Sequence, residues 1–219
     1  MKGVVIILLT FLAACNSNKS TDTILAEVWD RDQSIRQQMI ELTKAVTVDG
    51  RTELVDSLIA TNEAVNLIDA KNMSIVDSIM NKGLDLNLTP QSYKTIWIVI
   101  DHASLDKQEQ YLPLMEKWSQ EGLIGKDEYA VLYDRVAMKK NRPQRYGSQT
   151  VQFGINNKMQ LYVYPVENPN LLDSLRASVG LSSMADYLEL LTKTTGIDAK
   201  YNPEISIEQL NTMQNEDKN

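Results

Sequence analysis

Apolar residues recur every three or four positions through the first half of the chain, and that period predicts amphipathic helices. Ile24, Val28, Ile35, Met39, Leu42 and Val46 form one stripe. After a turn at Asp49-Gly50, Leu54, Leu58, Val65, Ile75 and Ile79 form a second, longer stripe, interrupted by Asn62 and Asn72 and ending near Gly83. Thr89-Pro90 supplies a cap and a proline suited to a first helical turn. The helix it opens carries Ile96-Trp97-Ile98-Val99-Ile100, apolar on every face, as expected of an element buried in the middle of its domain. The β-branched residues in that run keep a buried strand as the rival reading. Leu105 to Gly122 reads as a helix that Pro113 kinks or breaks, and Asp127 as the cap of a helix with the stripe Tyr129, Leu132, Tyr133 and Val136.

The period then changes to that of a strand. Val151 and Phe153, then Met159, Leu161 and Val163, alternate with other residues on either side of Asn156-Asn157, which predicts one antiparallel β-hairpin near residues 149–164. Asn168-Pro169 opens a helix that stops at Gly180. Ser182 or Ser183 caps a last one, with Met184, Tyr187, Leu188 and Leu191 on one face and Gly196 after it. The expected fold is mainly α, of the α+β class: a single helical domain over residues 22–205 with one hairpin, followed by a polar, frayed tail over 206–219.

The first 21 residues belong to a different pattern. Met1-Lys2 is a small basic start, Val4 to Leu12 is apolar apart from Thr10, and Ala13-Ala14 precede Cys15, the sole cysteine. Spanning a bilayer takes about 20 apolar residues, so this run is too short to be an anchor in itself. The pattern resembles a lipoprotein signal peptide over residues 1–14, with Cys15 lipidated by acyl chains of the palmitate kind and residues 15–21 serving as a flexible tether. Asn16 is not aspartate, which favours the outer membrane, with the membrane face left open. Lipidation would consume the only thiol and exclude disulfides, so the fold must rest on packing.

The chain carries a formal charge of −7, which disfavours nucleic acid as a partner. The charge is segregated. From Arg135 to Val166 there is no acid, while Arg135, Lys139, Lys140, Arg142, Arg145 and Lys158 are all basic.

No nucleophile elbow, phosphate-binding glycine loop or His-Glu-x-x-His motif is present. With one histidine and a lipidated cysteine, a conventional zinc site cannot be assembled, and an all-carboxylate calcium site, open in principle, has no EF-hand-like spacing behind it, so neither a metal nor another cofactor is expected. His102 is the most informative side chain: an imidazole beside Asp101 at a helix end, able to serve as a general base or simply to hydrogen-bond there. A second cluster runs through Asp134-Arg135 and Arg142 to Gln149, where Arg142 and Arg145 offer forked donors, Gln144 and Gln149 neutral amides, and Tyr146 a phenol. Its rival reading is structural, with Asp134 pairing an arginine inside the fold. Asp32 and Arg36 form an i,i+4 pair of the sort that is usually a weak surface bridge.

The segments DRDQSIR, WIVIDHASLDKQEQYLPLMEKW, YAVLYDRVAMKKNRPQRYGSQ and VENPNLLDSLRASVGLSSMADYL resemble a bacterial family called domain of unknown function 6624, from about Trp29 to Leu191. Ser148 stands where the family has threonine. The resemblance implies a shared fold and suggests that His102, Gln108, Asp134, Arg135, Gln144, Tyr146 and Gln149 belong together. It implies no activity.

The functional expectation is a lipid-anchored envelope protein that binds a small polar or anionic ligand where the His102 helix end, the Asp134-Arg135 helix and the 142–149 loop meet. The alternatives are a hydrolase or transferase with His102 as base, Asp101 or Asp134 as its orienter and Arg135 as clamp, and a structural protein that docks a basic partner. Beyond the membrane, no protein partner is specified.

Overall fold

A computed structural model describes residues 19–83, 87–155 and 158–216. The expected leader, Cys15 and the first part of the expected tether lie outside the described residues, as does the predicted turn at Asn156-Asn157. Among the described residues, no helix is long and apolar enough to cross a membrane.

Two long helices come first: α1 (Thr21–Thr47) and α2 (Val55–Met80). Then come α3 (Pro90–His102), α4 (Leu105–Glu121) and α5 (Lys126–Lys139). These five helices enclose the main core. Leu25 and Val28 from α1, Val76 from α2, Ile96 and Ile100 from α3, Met115 from α4 and Leu132 from α5 are wholly or almost wholly shielded from solvent. The Ile96–Ile100 run is therefore helical, because the Thr89 Oγ1 cap on Ser92 N and the proline in the first turn set the period before the β-branched residues are reached.

Proline 113 neither ends nor interrupts α4. Met115 and Trp118, both buried beyond it, tie that half of the helix to the core and offset the missing backbone bond. Helix α5 is capped two residues earlier than predicted: Gly125 is the N-cap, its amide donates to Glu128 Oε2 at 2.8 Å, and Asp127 sits in the first turn.

The hairpin is β1 (Thr150–Ile155) against β2 (Lys158–Val163), antiparallel, with Val151 opposite Tyr162 and Phe153 opposite Gln160. Helices α6 (Leu172–Ser178) and α7 (Met184–Thr195) follow. A short strand that the sequence pattern does not reveal, β3 (Ala199–Lys200), joins β2 in parallel and gives the order β1-β2-β3.

The expected polar tail is instead helix α8 (Ile207–Glu216). Ser206 N donates to Gln209 Oε1 at 2.8 Å and Gln209 N to Ser206 Oγ at 3.1 Å, a reciprocal capping box. Leu210 is fully buried in a cluster with Phe153 and Tyr164, which anchors the helix over the sheet.

Candidate functional site

The site begins at the C-terminus of α3, which ends on His102. Two helices bring side chains toward its imidazole. Asp32, on α1, is fully buried and places Oδ1 3.1 Å from His102 Nδ1. Arg36, one turn further along α1, donates Nε to the same nitrogen at 2.9 Å and Nη2 to Asp69 Oδ1 of α2 at 2.5 Å. Gln33 Nε2 donates to the other Asp32 oxygen at 2.8 Å. Burial disfavours the charged form of Asp32. The hydrogen bond and charge of His102, with help from Arg36 and Gln33, outweigh it and hold the carboxyl below its ordinary range.

The Nδ1 atom cannot serve both neighbours at once. The Arg36 Nε–H is always a donor, so with it in place Nδ1 presents a lone pair; a proton on Nδ1 directs the bond to Asp32 instead. Nε2 has no hydrogen-bond partner among the described residues.

His102 borders an open cleft of about 560 Å³. One wall is α2, where Asn66, Asp69, Ala70, Met73, Ser74 and Asp77 follow one another at helical spacing. The other wall is the α3–α4 turn, with His102, Ala103, Ser104 and Lys107. Lys107 Nζ lies 2.8 Å from Asp77 Oδ2, and Tyr111 donates its hydroxyl to Asp77 Oδ1 at 2.7 Å. Burial and that carboxylate push the Tyr111 phenol up to about 12, so it stays a donor at any physiological pH. The lining therefore holds two carboxylates against one lysine and the imidazole, with no excess of cations.

Behind the turn, Arg135 Nε donates to Asp101 Oδ1 at 2.8 Å, Lys139 Nζ to Ala103 O at 3.0 Å, and Gln108 Nε2 to Asp101 O at 2.5 Å. These bonds take up carbonyls and a carboxylate at the end of α3 and fix the backbone that carries His102.

The residues singled out in the sequence thus divide into two groups. His102, Asp32, Arg36, Asp101, Arg135 and Gln108 converge on the α3 terminus. Asp134, Gln144, Tyr146 and Gln149 serve the 142–149 loop, and Arg135 lies within electrostatic reach of Tyr187, whose hydroxyl donates to Ser148 O at 2.6 Å. Asp134 is fully buried and accepts backbone N–H groups from Arg145 at 2.7 Å, Tyr146 at 3.0 Å and Ser148 at 3.0 Å, together with the Ser148 hydroxyl at 2.9 Å. Burial pushes its carboxyl up from the usual carboxylate range, and those hydrogen bonds pull it back only in part. Gln144 donates to Tyr164 O at 2.6 Å and Gln149 O at 3.0 Å and accepts from Gln149 N at 2.8 Å. Gln149 donates to Val131 O at 3.2 Å. These side chains satisfy loop backbone that would otherwise be buried without partners.

The carboxylate beside the imidazole nitrogen is Asp32, not the expected Asp101 or Asp134, because Asp101 faces Arg135 and Asp134 faces the loop amides. Arg142 and Arg145 are exposed, and Arg145 lies over the Tyr146 ring at 5.7 Å. Lys140, also from the acid-free window, pairs with Glu109.

Sequence reasoning missed Asp69, Asp77 and Lys107 in the cleft and Arg176 behind the loop. Arg176 is fully buried, donates to Ser182 O at 2.6 Å and Tyr146 O at 2.8 Å, and lies 4.7 Å from the Tyr187 ring. Its signal was weak: one basic residue on the short helix between Pro169 and Gly180. The acids of α2 carried a clearer one, since Asp69 and Asp77 stand two turns apart on one face.

No curated protein and no solved structure matches the chain. A family described as a family of unknown function, DUF6624, matches residues 21–200, which include all five core helices, the sheet and both polar clusters, and the chain belongs to that family.

Proposed function

We propose that this protein is a lipid-anchored component of the bacterial envelope, held at the outer membrane through Cys15, that binds a small polar ligand in the His102 cleft. One observation carries the reading. The only imidazole in the chain has its Nδ1 2.9 Å from the Arg36 guanidinium and 3.1 Å from a buried carboxylate, beside an open cleft whose volume of about 560 Å³ suits a small molecule. The 142–149 cluster supports the loop and lies outside the binding surface.

The test is a thermal-shift screen of polar metabolites against the full chain in detergent. A ligand at one hundred times its Kd stabilises by about 2.7 kcal/mol. His102→Gln and Asp77→Asn are each expected to abolish the shift while both variants stay folded. Ligands that still stabilise both variants place the site elsewhere. The anchor is tested separately: Cys15→Ser is expected to move the protein from the membrane pellet to the soluble fraction.

A second reading, a hydrolase or transferase, is favoured by the Asp32–His102 contact at 3.1 Å. When the Nδ1 proton is turned to Asp32 and away from Arg36, the buried carboxylate orients the imidazole so that Nε2 can take a proton. Assays with ester, phosphoester and glycoside substrates would show a rate that falls at least about 10²-fold in His102→Gln; a rate indifferent to that change removes the reading.

A further inference from the structure

We propose that Asp32, Asp69 and His102 form a site for one divalent transition-metal ion, of the zinc or manganese class, at the position the Arg36 guanidinium fills. The inference rests on the reading of the His102 cleft as the functional site and names a cofactor for it.

The first argument is convergence. The three groups come from α1, α2 and α3, yet one ligand atom from each lies within 4.8 Å of the others. Ligands at about 2.2 Å from a shared ion stand at most about 4.4 Å apart, so small side-chain rotations close the set.

The second argument is the pairing at Nδ1. With Arg36 donating to it, His102 Nδ1 and Asp32 Oδ1 are two acceptors 3.1 Å apart. Two lone pairs at that separation are held together by the positive charge they share, and Arg36 Nε stands 3.5 Å from Asp32 Oδ1 and 2.9 Å from the imidazole. Nη2 of the same guanidinium reaches Asp69. One monovalent side chain thus answers two carboxylates and an imidazole, which leaves the cluster one charge negative. A divalent ion in place of the guanidinium balances both carboxylates, and it meets an Nδ1 that already presents its lone pair.

The third argument is access and support. Arg36 is about a quarter exposed (26%), so it can swing toward solvent, whereas Asp32 is buried and held by Gln33. A hydrogen bond to a ligating carboxylate is the usual support around a metal. Asp69 and His102 both border the cleft, so an ion has a way in and keeps open positions facing the ligand volume. One nitrogen with two carboxylates suits zinc, manganese or iron(II) better than calcium or magnesium, which prefer oxygen alone. The ion would also provide the positive charge that the cleft lining lacks, so its ligand would carry an anionic group.

The experiment titrates tag-free, chelator-stripped full chain in detergent with Zn²⁺ and with Mn²⁺ by calorimetry, no other ligand being present. One ion per chain is expected. His102→Gln and Asp69→Asn should each weaken binding at least tenfold, with folding checked by circular dichroism. Arg36→Gln should tighten it several-fold, because the competing cation is gone. The sole histidine gives a second readout: on Zn²⁺ addition the ¹⁵N resonance of Nδ1 should shift and that of Nε2 should not, a result that stands even if Asp69→Asn fails to fold. The inference is overturned if neither the native chain nor Arg36→Gln binds an ion, if Arg36→Gln weakens binding, or if His102→Gln leaves it unchanged. A cleft that takes polar ligands but no ion overturns the metal alone; an ion without any ligand in the screen overturns the proposed ligand-binding function alone.

Discussion

Asp134→Asn separates a scaffold role for the 142–149 cluster from a direct role in binding. The carboxylate uses both oxygens. Oδ1 accepts from Arg145 N at 2.7 Å and Tyr146 N at 3.0 Å, while Oδ2 accepts from Ser148 N at 3.0 Å and the Ser148 hydroxyl at 2.9 Å. An asparagine that keeps its oxygen at the first position turns an amino group toward Ser148 N–H, setting donor against donor. The Ser148 hydroxyl can rotate and accept, but the backbone N–H cannot. A hydrogen bond to a charged acceptor contributes about 1.5–3 kcal/mol, and the stranded N–H adds a cost of about 1–3 kcal/mol that partly overlaps it. The expected loss is about 3 kcal/mol. For a chain of this size each kcal/mol moves Tm by about 2–4 °C, so Tm should fall by about 6–12 °C. Urea unfolding followed by circular dichroism measures the free energy, and calorimetric titration of the folded variant measures cleft binding, which should be unchanged. A loss under about 1 kcal/mol, or a folded variant with defective cleft binding, would refute the assignment of Asp134 to the scaffold.

Three further predictions test other parts of the fold. Gly147→Ala adds a Cβ at φ +65°, 2.8 Å from Met184 Cε and 3.3 Å from Leu172 Cδ1, whereas Gly180→Ala at φ +84° meets open space; both incur the left-handed cost of about 1–2 kcal/mol, so Gly147→Ala should unfold at a measurably lower urea concentration than Gly180→Ala. Arg176→Lys loses the planar fork that reaches three backbone carbonyls, and should cost about 2–3 kcal/mol in the same assay. Asp22 joins the start of α1 to the cap of α3, where hydrogen bonds from Ser92 Oγ and the Thr89 backbone hold its carboxyl below the usual range. Because that pKa is depressed in the folded chain, its contribution is present above the unfolded value and is lost as pH falls through the folded one; Asp22→Asn should therefore narrow the stability gap between pH 6 and pH 2, read from Tm across that range.

The helices and the hairpin were legible because each buries one face and its period is written locally. The Ile96–Ile100 run shows where local reading needed help: composition pointed two ways, and Thr89-Pro90 decided it. Helix α4 passes Pro113 because Met115 and Trp118 are buried beyond it, a tertiary effect absent from any local window. Strand β3 is two residues long, too short for alternation to register.

The site divided along similar lines. Asp32 and Arg36 looked like a surface bridge because an i,i+4 spacing says nothing about what the helix faces; here it faces His102, 66 residues beyond Arg36. Asp69 and Asp77 were unremarked acids on a long helix until α2 became one wall of a cleft. Gln144 and Gln149 were visible as an unusual concentration of hydrogen-bonding side chains. Sequence does not tell whether such groups turn to a ligand or to their own backbone, and here they turn inward.

Leu210 gives the C-terminal helix a practical meaning. The family match stops at residue 200, while the leucine that seals Phe153 and Tyr164 lies ten residues later. Trimming the protein to the family boundary would uncover an aromatic face on the hairpin and forfeit about 1.5–3 kcal/mol from Leu210 alone. A fragment designed from the shared region would thus be a sticky, weakened object, and its failure in a binding screen would say nothing about the cleft.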